Sequence, residues 1–110
     1  ARLTKGYNLQ AKYVIHAVGP KYWDGSRNEA TLLRNCYKAI FKIAKEHKIS
    51  SIAIPAIGTG IYQFPIVNAT TIAIEEAYAM IETEDIAVIF CCFDKKTLET
   101  YDTIMKCRLR

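Results

Sequence analysis

Apolar and polar positions follow two different patterns along this chain. Short, nearly continuous apolar runs occur at residues 13–18, 52–54 and 86–93, and their β-branched and aromatic content is typical of buried strands. Apolar residues three or four positions apart mark residues 26–47, 65–83 and 94–105 as helices. Residues 1–4 fit either an edge strand or a ragged start. The alternation predicts the α/β class, with helices layered on a sheet in an α/β/α arrangement.

The first helix has a start signal and one apolar face. Ser26 and Glu29 form a capping-box pattern, so we expect the helix to begin at Ser26. It is predicted to end near His47, whose imidazole suits the negative end of the helix dipole. Its apolar positions are Leu33, Cys36, Tyr37, Ile40, Phe41 and Ala44.

The other two helices differ in how much apolar surface they carry. The helix after Pro65 is apolar over a wide arc, which indicates cover by several neighbours, with Glu75, Glu76 and Glu82 expected to face solvent. Asp94 is predicted to cap the last helix. The apolar positions of that helix are Leu98, Tyr101, Ile104 and Met105.

Residues 51–65 join a strand, a glycine loop and a helix. The loop contains Gly58 and Gly60, and Pro65 suits the first turn of the helix that follows. Ligand crevices in open parallel sheets lie at the carboxyl ends of the strands. Glycines allow a tight turn and bring main-chain N–H groups close to an anion. This loop is therefore the first place to look for a site.

Two familiar phosphate loops do not fit this sequence. A dinucleotide fingerprint needs a third glycine where Gln63 stands, and a P-loop needs a Gly-Lys-Ser/Thr that is absent here. A loop remains that could hold phosphate through N–H groups and the Thr59 hydroxyl, with Ile61, Tyr62 and Phe64 beside the ligand. A tight turn whose aromatic side chains cover the core explains the same residues on spacing alone.

Composition limits the function classes. The 110 residues, 51% of them apolar, suit one domain with one core. No apolar run reaches the length of a membrane helix, so we expect a cytoplasmic protein without a membrane partner. The net charge of +4 is spread along the chain and favours anionic ligands without identifying nucleic acid.

Residues that often carry chemistry have structural explanations elsewhere in the chain. His16 lies in a buried strand and is predicted to be a core histidine. Asp24 and Glu29 are explained by a turn and a helix cap, so we assign no catalytic residue, no metal and no cofactor. Reduced, mostly packing thiols are predicted for all four cysteines, which lack C-x-x-C spacing: Cys36, Cys91, Cys92 and Cys107.

Two motifs give the chain a resemblance to the macro domain family. Residues 4–20 read T-x-G-Y-x-L-x-A-K-Y-V-I-H-x-V-G-P and are similar to its middle strand region. Residues 55–65 read P-A-I-G-T-G-I-Y-x-F-P and are similar to its second ligand loop. The resemblance covers essentially the whole chain, and the most similar subgroup contains ADP-ribosyl-protein hydrolases and O-acetyl-ADP-ribose deacetylases.

The resemblance implies a ligand and a set of ligand-binding residues. ADP-ribose or an ADP-ribosylated protein is the implied partner. Tyr62 stands where some relatives have a catalytic aspartate, so their mechanism is not implied here. Phe64 would lie against the distal ribose, and the diphosphate would contact Gly58, Thr59, Gly60, Ile61 and Tyr62.

The resemblance also implies an N-terminally truncated macro domain. Family members begin with two strands, a helix and a glycine-rich first loop that carries catalytic residues, and none of these precedes Ala1. One of those strands lies between the strands that match residues 13–18 and 52–54. We therefore expect these two strands either to pair directly or to leave edges that a second molecule fills. Whether the chain is an enzyme stays open.

Three functions are compatible with these observations. The first is an ADP-ribose recognition module, whose full-length form hydrolyses ADP-ribosyl-protein or O-acetyl-ADP-ribose. The second is an inactive structural fragment that assembles as a homo-oligomer through its strand edges. The third, RNA or poly(ADP-ribose) binding, has the weakest support because the basic residues are scattered.

Overall fold

The structure, a computed structural model, describes residues 2–5, 13–16, 28–55, 57, 65–92 and 94–108. The described strands are β1 (Arg2–Lys5), β2 (Tyr13–His16), β3 (Ser51–Pro55) and β4 (Ala87–Cys91). The described helices are α1 (Glu29–Glu46), α2 (Ile66–Thr83) and α3 (Lys95–Arg108). From β2 onward, strands and helices alternate along the chain. The predicted α/β class and the extents of the helices, to within a few residues, are confirmed.

The four described strands form two separate pairs. β1 and β2 are antiparallel, and β3 and β4 are parallel with Ser51 opposite Ala87 and Pro55 opposite Cys91. Hydrogen bonds do not join β2 to β3 within the described residues. The sequence led us to expect that strands 13–18 and 52–54 either pair directly or leave edges that a second molecule fills. Direct pairing is not formed among the described residues.

α2 lies at the centre of the core. It packs against α1, α3 and β4, so several sides of the helix are covered. Cover on several sides explains why the apolar arc of α2 is wide. Each fully buried aliphatic side chain stabilises the fold by about 1.5–3 kcal/mol. Its buried apolar residues are Ala69, Ile72, Ala73, Ile74, Ala77 and Met80. Neither α2 nor any other described helix is both long and apolar enough to cross a bilayer.

One face of the β3–β4 pair packs against the helices. Ile54 is buried, and Val88 and Phe90 pack against the same core. Alternate positions point to the opposite face, where Ala53 is exposed and Ile89 is 55% exposed. The described helices therefore share a single core with one face of the parallel pair.

α1 begins three residues later than the capping-box pattern predicts. Asn28 precedes the helix in the left-handed region, at φ 58°, and its side chain makes no capping hydrogen bond. A left-handed residue at this position is incompatible with a helical turn that runs from Ser26 to Glu29. The prediction that the helix begins at Ser26 is therefore wrong, and Ser26 itself lies outside the described residues.

Glu76 is buried, which corrects the expectation that it faces solvent. Its side chain is 9% exposed, and its Oε1 lies 3.6 Å from Arg34 Nη1 and 3.8 Å from Lys38 Nζ. Both cations belong to α1. The contact between α1 and α2 thus covers the carboxylate and supplies the positive charges that a buried carboxylate requires.

α3 buries a narrower face than its apolar spacing predicts. Tyr101 is 4% exposed, whereas Leu98 is 58% and Met105 is 37% exposed. Thr97 is buried instead, four residues before Tyr101. The side of α3 that packs against α2 therefore includes a polar position that apolar spacing alone does not identify.

We expect Glu76→Gln to lower the free energy of unfolding by about 1 kcal/mol, because Arg34 and Lys38 lose their buried anionic partner while remaining partly solvated. Urea denaturation at neutral pH measures the change. Glu75→Gln is the matched control, since Glu75 is 37% exposed and lies 3.8 Å from Arg34. The control should cost less than about 0.5 kcal/mol. If the free energy of unfolding fell equally in the two variants, burial of Glu76 would not be what makes its ion pairs stabilising.

Candidate functional site

The candidate site is the glycine loop between β3 and α2. Pro55 ends β3, Ile57 is described within the connection, and Pro65 precedes α2. The residues predicted to bind ligand lie outside the described part of the chain, and their roles stay predictions: Gly58, Thr59, Gly60, Ile61, Tyr62 and Phe64. Asp24 and the side chain of His16 also lie outside it. The flanking residues thus define where the predicted site is attached to the fold.

The loop follows the carboxyl end of a parallel strand, as predicted. Pro55 lies opposite Cys91, so β3 and β4 end at the same edge of their pair. In each strand–helix unit of this kind, the next helix runs back from the edge at which the strand ends. Ligand crevices in α/β proteins lie at this edge.

The amino ends of α2 and α3 are capped differently. Asp94 Oδ1 accepts a hydrogen bond of 2.7 Å from the Thr97 N–H, which confirms the predicted cap of α3 and lowers the pKa of the Asp94 carboxyl. Pro65 makes no side-chain capping bond to α2, and the first turn of α2 contains no acidic residue. The first N–H groups of a helix have no acceptor within it. The positive end of the α2 dipole is therefore not offset by its own side chains, which favours an anion there.

Three buried residues that carry hydroxyl groups lie close to one another, and one of them, Tyr37, lies beside the start of the loop. Tyr37 of α1 is 0% exposed, Thr70 of α2 is 1% and Tyr101 of α3 is 4%. The main chain of Ile57 lies beside the Tyr37 hydroxyl, and the Ile57 side chain packs against the core. The Tyr101 ring also contacts Phe90 of β4, with ring centroids 5.0 Å apart. Three helices and the loop stem thus meet at one point.

The two tyrosines stay protonated at neutral pH. Burial raises the pKa of Tyr101 to about 12, although the neighbouring Tyr37 and Thr70 hydroxyls oppose part of the rise. Burial, reinforced by the nearby Tyr101, raises the pKa of Tyr37 further, while the main chain of Ile57 lowers it. Within the described residues, Tyr37 Oη and Thr70 Oγ1 do not reach full hydrogen-bond geometry with any partner. The hydroxyls are therefore close neighbours that are not tightly bonded.

The four cysteines form no disulfide bond in the structure. Cys36, Cys91 and Cys92 are half-buried, whereas Cys107 is exposed. Burial raises the pKa of Cys36 and of Cys92, which lowers the thiolate fraction that makes a cysteine reactive. The described residues contain no His, Cys, Asp and Glu group suited to a metal ion.

Helical spacing placed Tyr37 and Tyr101 on apolar faces, where they do lie, but it did not identify the burial of Thr70 or the meeting of the three hydroxyl groups. The one available signal was a threonine directly after Ala69 on an otherwise apolar helix face. Helical spacing identifies which side of each helix is buried, but it does not reveal which side chains meet across three helices.

Comparison with known proteins decides the family. The Macro domain family model matches residues 1–73. The chain belongs to the macro domain family. The resemblance inferred from the two sequence motifs is thereby confirmed.

Macro domain relatives match along most of the chain. A macro domain-containing protein of Mesorhizobium japonicum is 43% identical over 103 residues, which cover 92% of this chain and 58% of that protein. An O-acetyl-ADP-ribose deacetylase of Enterobacter cloacae is 37% identical over 107 residues, which cover 96% of this chain and 59% of that enzyme. The macro domain chain therefore spans less than two thirds of the length of these relatives.

Solved macro domains share the fold. The Oceanobacillus iheyensis macrodomain with ADP superposes with a TM-score of 0.91 at 30% identity, covering 98% of this chain and 57% of the other. The Trypanosoma brucei macrodomain in complex with ADP-ribose gives a TM-score of 0.83 at 35% identity, with 94% and 44% coverage. The predicted macro-domain-like fold is confirmed.

We expect Asp94→Asn to be less stable than the parent at neutral pH, because asparagine keeps the cap but loses the charge that favours the amino end of α3. The native pKa of Asp94 lies below its ordinary value of 3.8, so its ionic contribution is present above that value and is lost as pH falls through the native pKa. Urea unfolding of both proteins between neutral pH and pH values below 3.8 measures this. A stability difference that does not depend on pH would contradict the assignment.

Proposed function

We propose that this macro domain chain recognises ADP-ribose. The diphosphate is held by Gly58, Thr59, Gly60, Ile61 and Tyr62, and Phe64 lies beside the distal ribose. The observation that carries the proposal is the place of the loop, between the carboxyl end of β3 and an α2 amino end without a side-chain cap. Solved relatives with ADP and with ADP-ribose support the choice of ligand.

The chemistry of the loop suits a diphosphate. Gly58 and Gly60 bear no side chain that would keep phosphate oxygens away from the main-chain N–H groups. The Thr59 hydroxyl adds a donor, and the positive end of the α2 dipole lies at the end of the loop. The net charge of +4 favours the approach of an anion. An aromatic face such as that of Phe64 suits the apolar side of a sugar ring.

We expect Gly60→Glu to weaken ADP-ribose binding by at least about tenfold, because a carboxylate then stands where phosphate oxygens bind. Isothermal titration calorimetry measures the affinity. Gly60→Gln is the matched control, since it adds nearly the same bulk without the charge. It should bind more tightly than Gly60→Glu, and the gap between the two should narrow at high salt.

Calorimetry can also contradict the recognition of ADP-ribose. A folded parent protein that gives no heat at millimolar ADP-ribose rules out the proposed site. The alternative is then a structural, strand-exchanged assembly, which the two separate strand pairs favour because no other described strand covers the edges of either pair. Retention on single-stranded RNA that survives moderate salt would instead support nucleic-acid binding.

A cytoplasmic location of the protein stays a prediction.

We further propose that the full-length protein hydrolyses O-acetyl-ADP-ribose or ADP-ribosyl-protein. The support is its membership of the same family as the Enterobacter cloacae deacetylase. Acetate release from O-acetyl-ADP-ribose by the full-length protein tests this, and Gly60→Glu should slow the release as it weakens binding. Tyr62 cannot act as a carboxylate base, so Tyr62→Phe should retain at least about a tenth of the rate. Binding without acetate release from O-acetyl-ADP-ribose and without ADP-ribose release from ADP-ribosyl-protein would limit the protein to recognition.

A further inference from the structure

The strand β4 has the composition of an interior strand but has one neighbour among the described strands, β3. All of its residues are apolar. Val88 and Phe90 pack against the core, whereas Ile89 on the opposite face is 55% exposed. Strands of parallel sheets are apolar on both faces because further strands and helices cover them. β4 therefore needs cover that the described residues do not supply.

The hydrogen-bond register shows which groups face the other edge of β4. The Ala87 N–H donates to the Ser50 carbonyl at 2.9 Å. Because main-chain groups alternate in direction along a strand, the N–H and C=O groups of Val88 and Phe90 point away from β3. Natural sheets protect such edges with lysine or proline, and β4 contains neither. The outer edge of β3 differs, since it ends at Pro55, which has no N–H to donate.

An apolar flank of α3 lies beside the tyrosine that contacts β4. The Tyr101 ring has its centroid 5.0 Å from that of Phe90. Thr97 is buried on one side of Tyr101. Leu98 and Met105 lie on its other side, three residues before and four after it, and are 58% and 37% exposed. A strand added to the edge of β4 would cover this flank.

We propose that this chain forms a symmetric dimer in which the β4 strands of two copies pair in antiparallel orientation. With the two-fold axis at Ile89, Val88 of each copy exchanges both main-chain hydrogen bonds with Phe90 of the other. The two Ile89 side chains meet across the axis, at a position where cross-strand side chains are closest. The pairing thus joins two small parallel sheets into one larger sheet.

The charges at the two ends of β4 favour a second copy as the neighbour. Asp85 precedes β4, Lys96 follows it in the first turn of α3, and both are exposed. Antiparallel pairing places the start of one β4 beside the end of the other, which brings Asp85 of each copy towards Lys96 of the other. Two further carboxylates there already have partners in their own copy. Glu84 lies 3.2 Å from Lys45, and Asp94 accepts its capping bond.

Sedimentation velocity over a range of protein concentrations measures the dimer. We expect Ile89→Lys to weaken dimerisation by at least about tenfold, because two ammonium groups then face each other across the axis. Ile81→Lys is the matched control, since Ile81 is 43% exposed on α2, outside the sheet. It should dimerise like the parent, and equal loss in both variants would overturn the proposal. Circular dichroism checks that each variant keeps its fold.

A charge exchange tests the orientation of the strands and does not alter β4 itself. Lys96→Glu should weaken dimerisation by about two- to fivefold at low salt, because Asp85 of the other copy then meets a like charge. Adding Asp85→Lys to Lys96→Glu should restore the parent affinity, since the two charges are again opposite. If Ile89→Lys does not fold, this pair of variants decides the question. Absence of both the loss and the recovery overturns antiparallel pairing.

Amide hydrogen exchange identifies the edge that pairs. Protection at Val88 and Phe90 should increase with protein concentration, whereas Ala87 and Ile89, which face β3, should be protected at every concentration. A chain that stays monomeric up to about 1 mM overturns the proposal. If Val88 and Phe90 are protected in that monomer, another segment of the same chain covers the edge.

The dimer does not rest on the proposed ADP-ribose function, because the glycine loop follows β3 and the pairing edge belongs to β4. Calorimetry with ADP-ribose on the parent and on Ile89→Lys separates the two proposals. A dimer that gives no heat with the ligand supports the pairing and refutes recognition. A monomeric parent that binds ADP-ribose supports recognition and refutes the dimer.

Discussion

The packing of α2 against its neighbours is the constraint on which the rest of the structure depends. This one helix contacts α1, α3 and β4, and its buried residues supply much of the described core. Because α2 is held on several sides, its amino end has a defined place after the glycine loop. The same packing brings Thr70 towards the two tyrosines and Glu76 against the cations of α1. The proposed ligand site is thus attached to the most buried of the described helices.

The polar groups near this core differ in whether a neighbouring side chain offsets their charge or completes their hydrogen bonds. Glu76 has two cations within 4 Å, and the α3 amino end has the carboxylate of Asp94. The α2 amino end has no comparable side chain, and the Tyr37 and Thr70 hydroxyls lack full hydrogen bonds among the described residues. Along the chain, the α2 amino end follows the glycine loop, and Ile57, which the Tyr37 hydroxyl lies beside, precedes it.

Family membership gives the described elements a wider context. The fold superposes on an ADP-containing macrodomain with a TM-score of 0.91 at only 30% identity. Cores tolerate many substitutions when volume and apolar pattern are kept, which explains how the fold persists at this identity. The chain spans 58% of the Mesorhizobium japonicum relative, and its described strands form two separate pairs. The activity of a longer form is therefore a separate question from the recognition proposed for this chain.

The order of elements, the buried side of α2 and the Asp94 cap could all be predicted from the sequence, because each depends on neighbours within a few positions. The family was also predictable, since its motifs are local. Burial of Glu76, exposure of Leu98 and the left-handed Asn28 were not, because they depend on how helices cross and on how the preceding chain enters α1. The meeting of the Tyr37, Thr70 and Tyr101 hydroxyls was likewise decided only by tertiary structure. Contacts between residues as distant as Tyr37 and Tyr101 follow from the packing of whole helices, which local spacing does not encode.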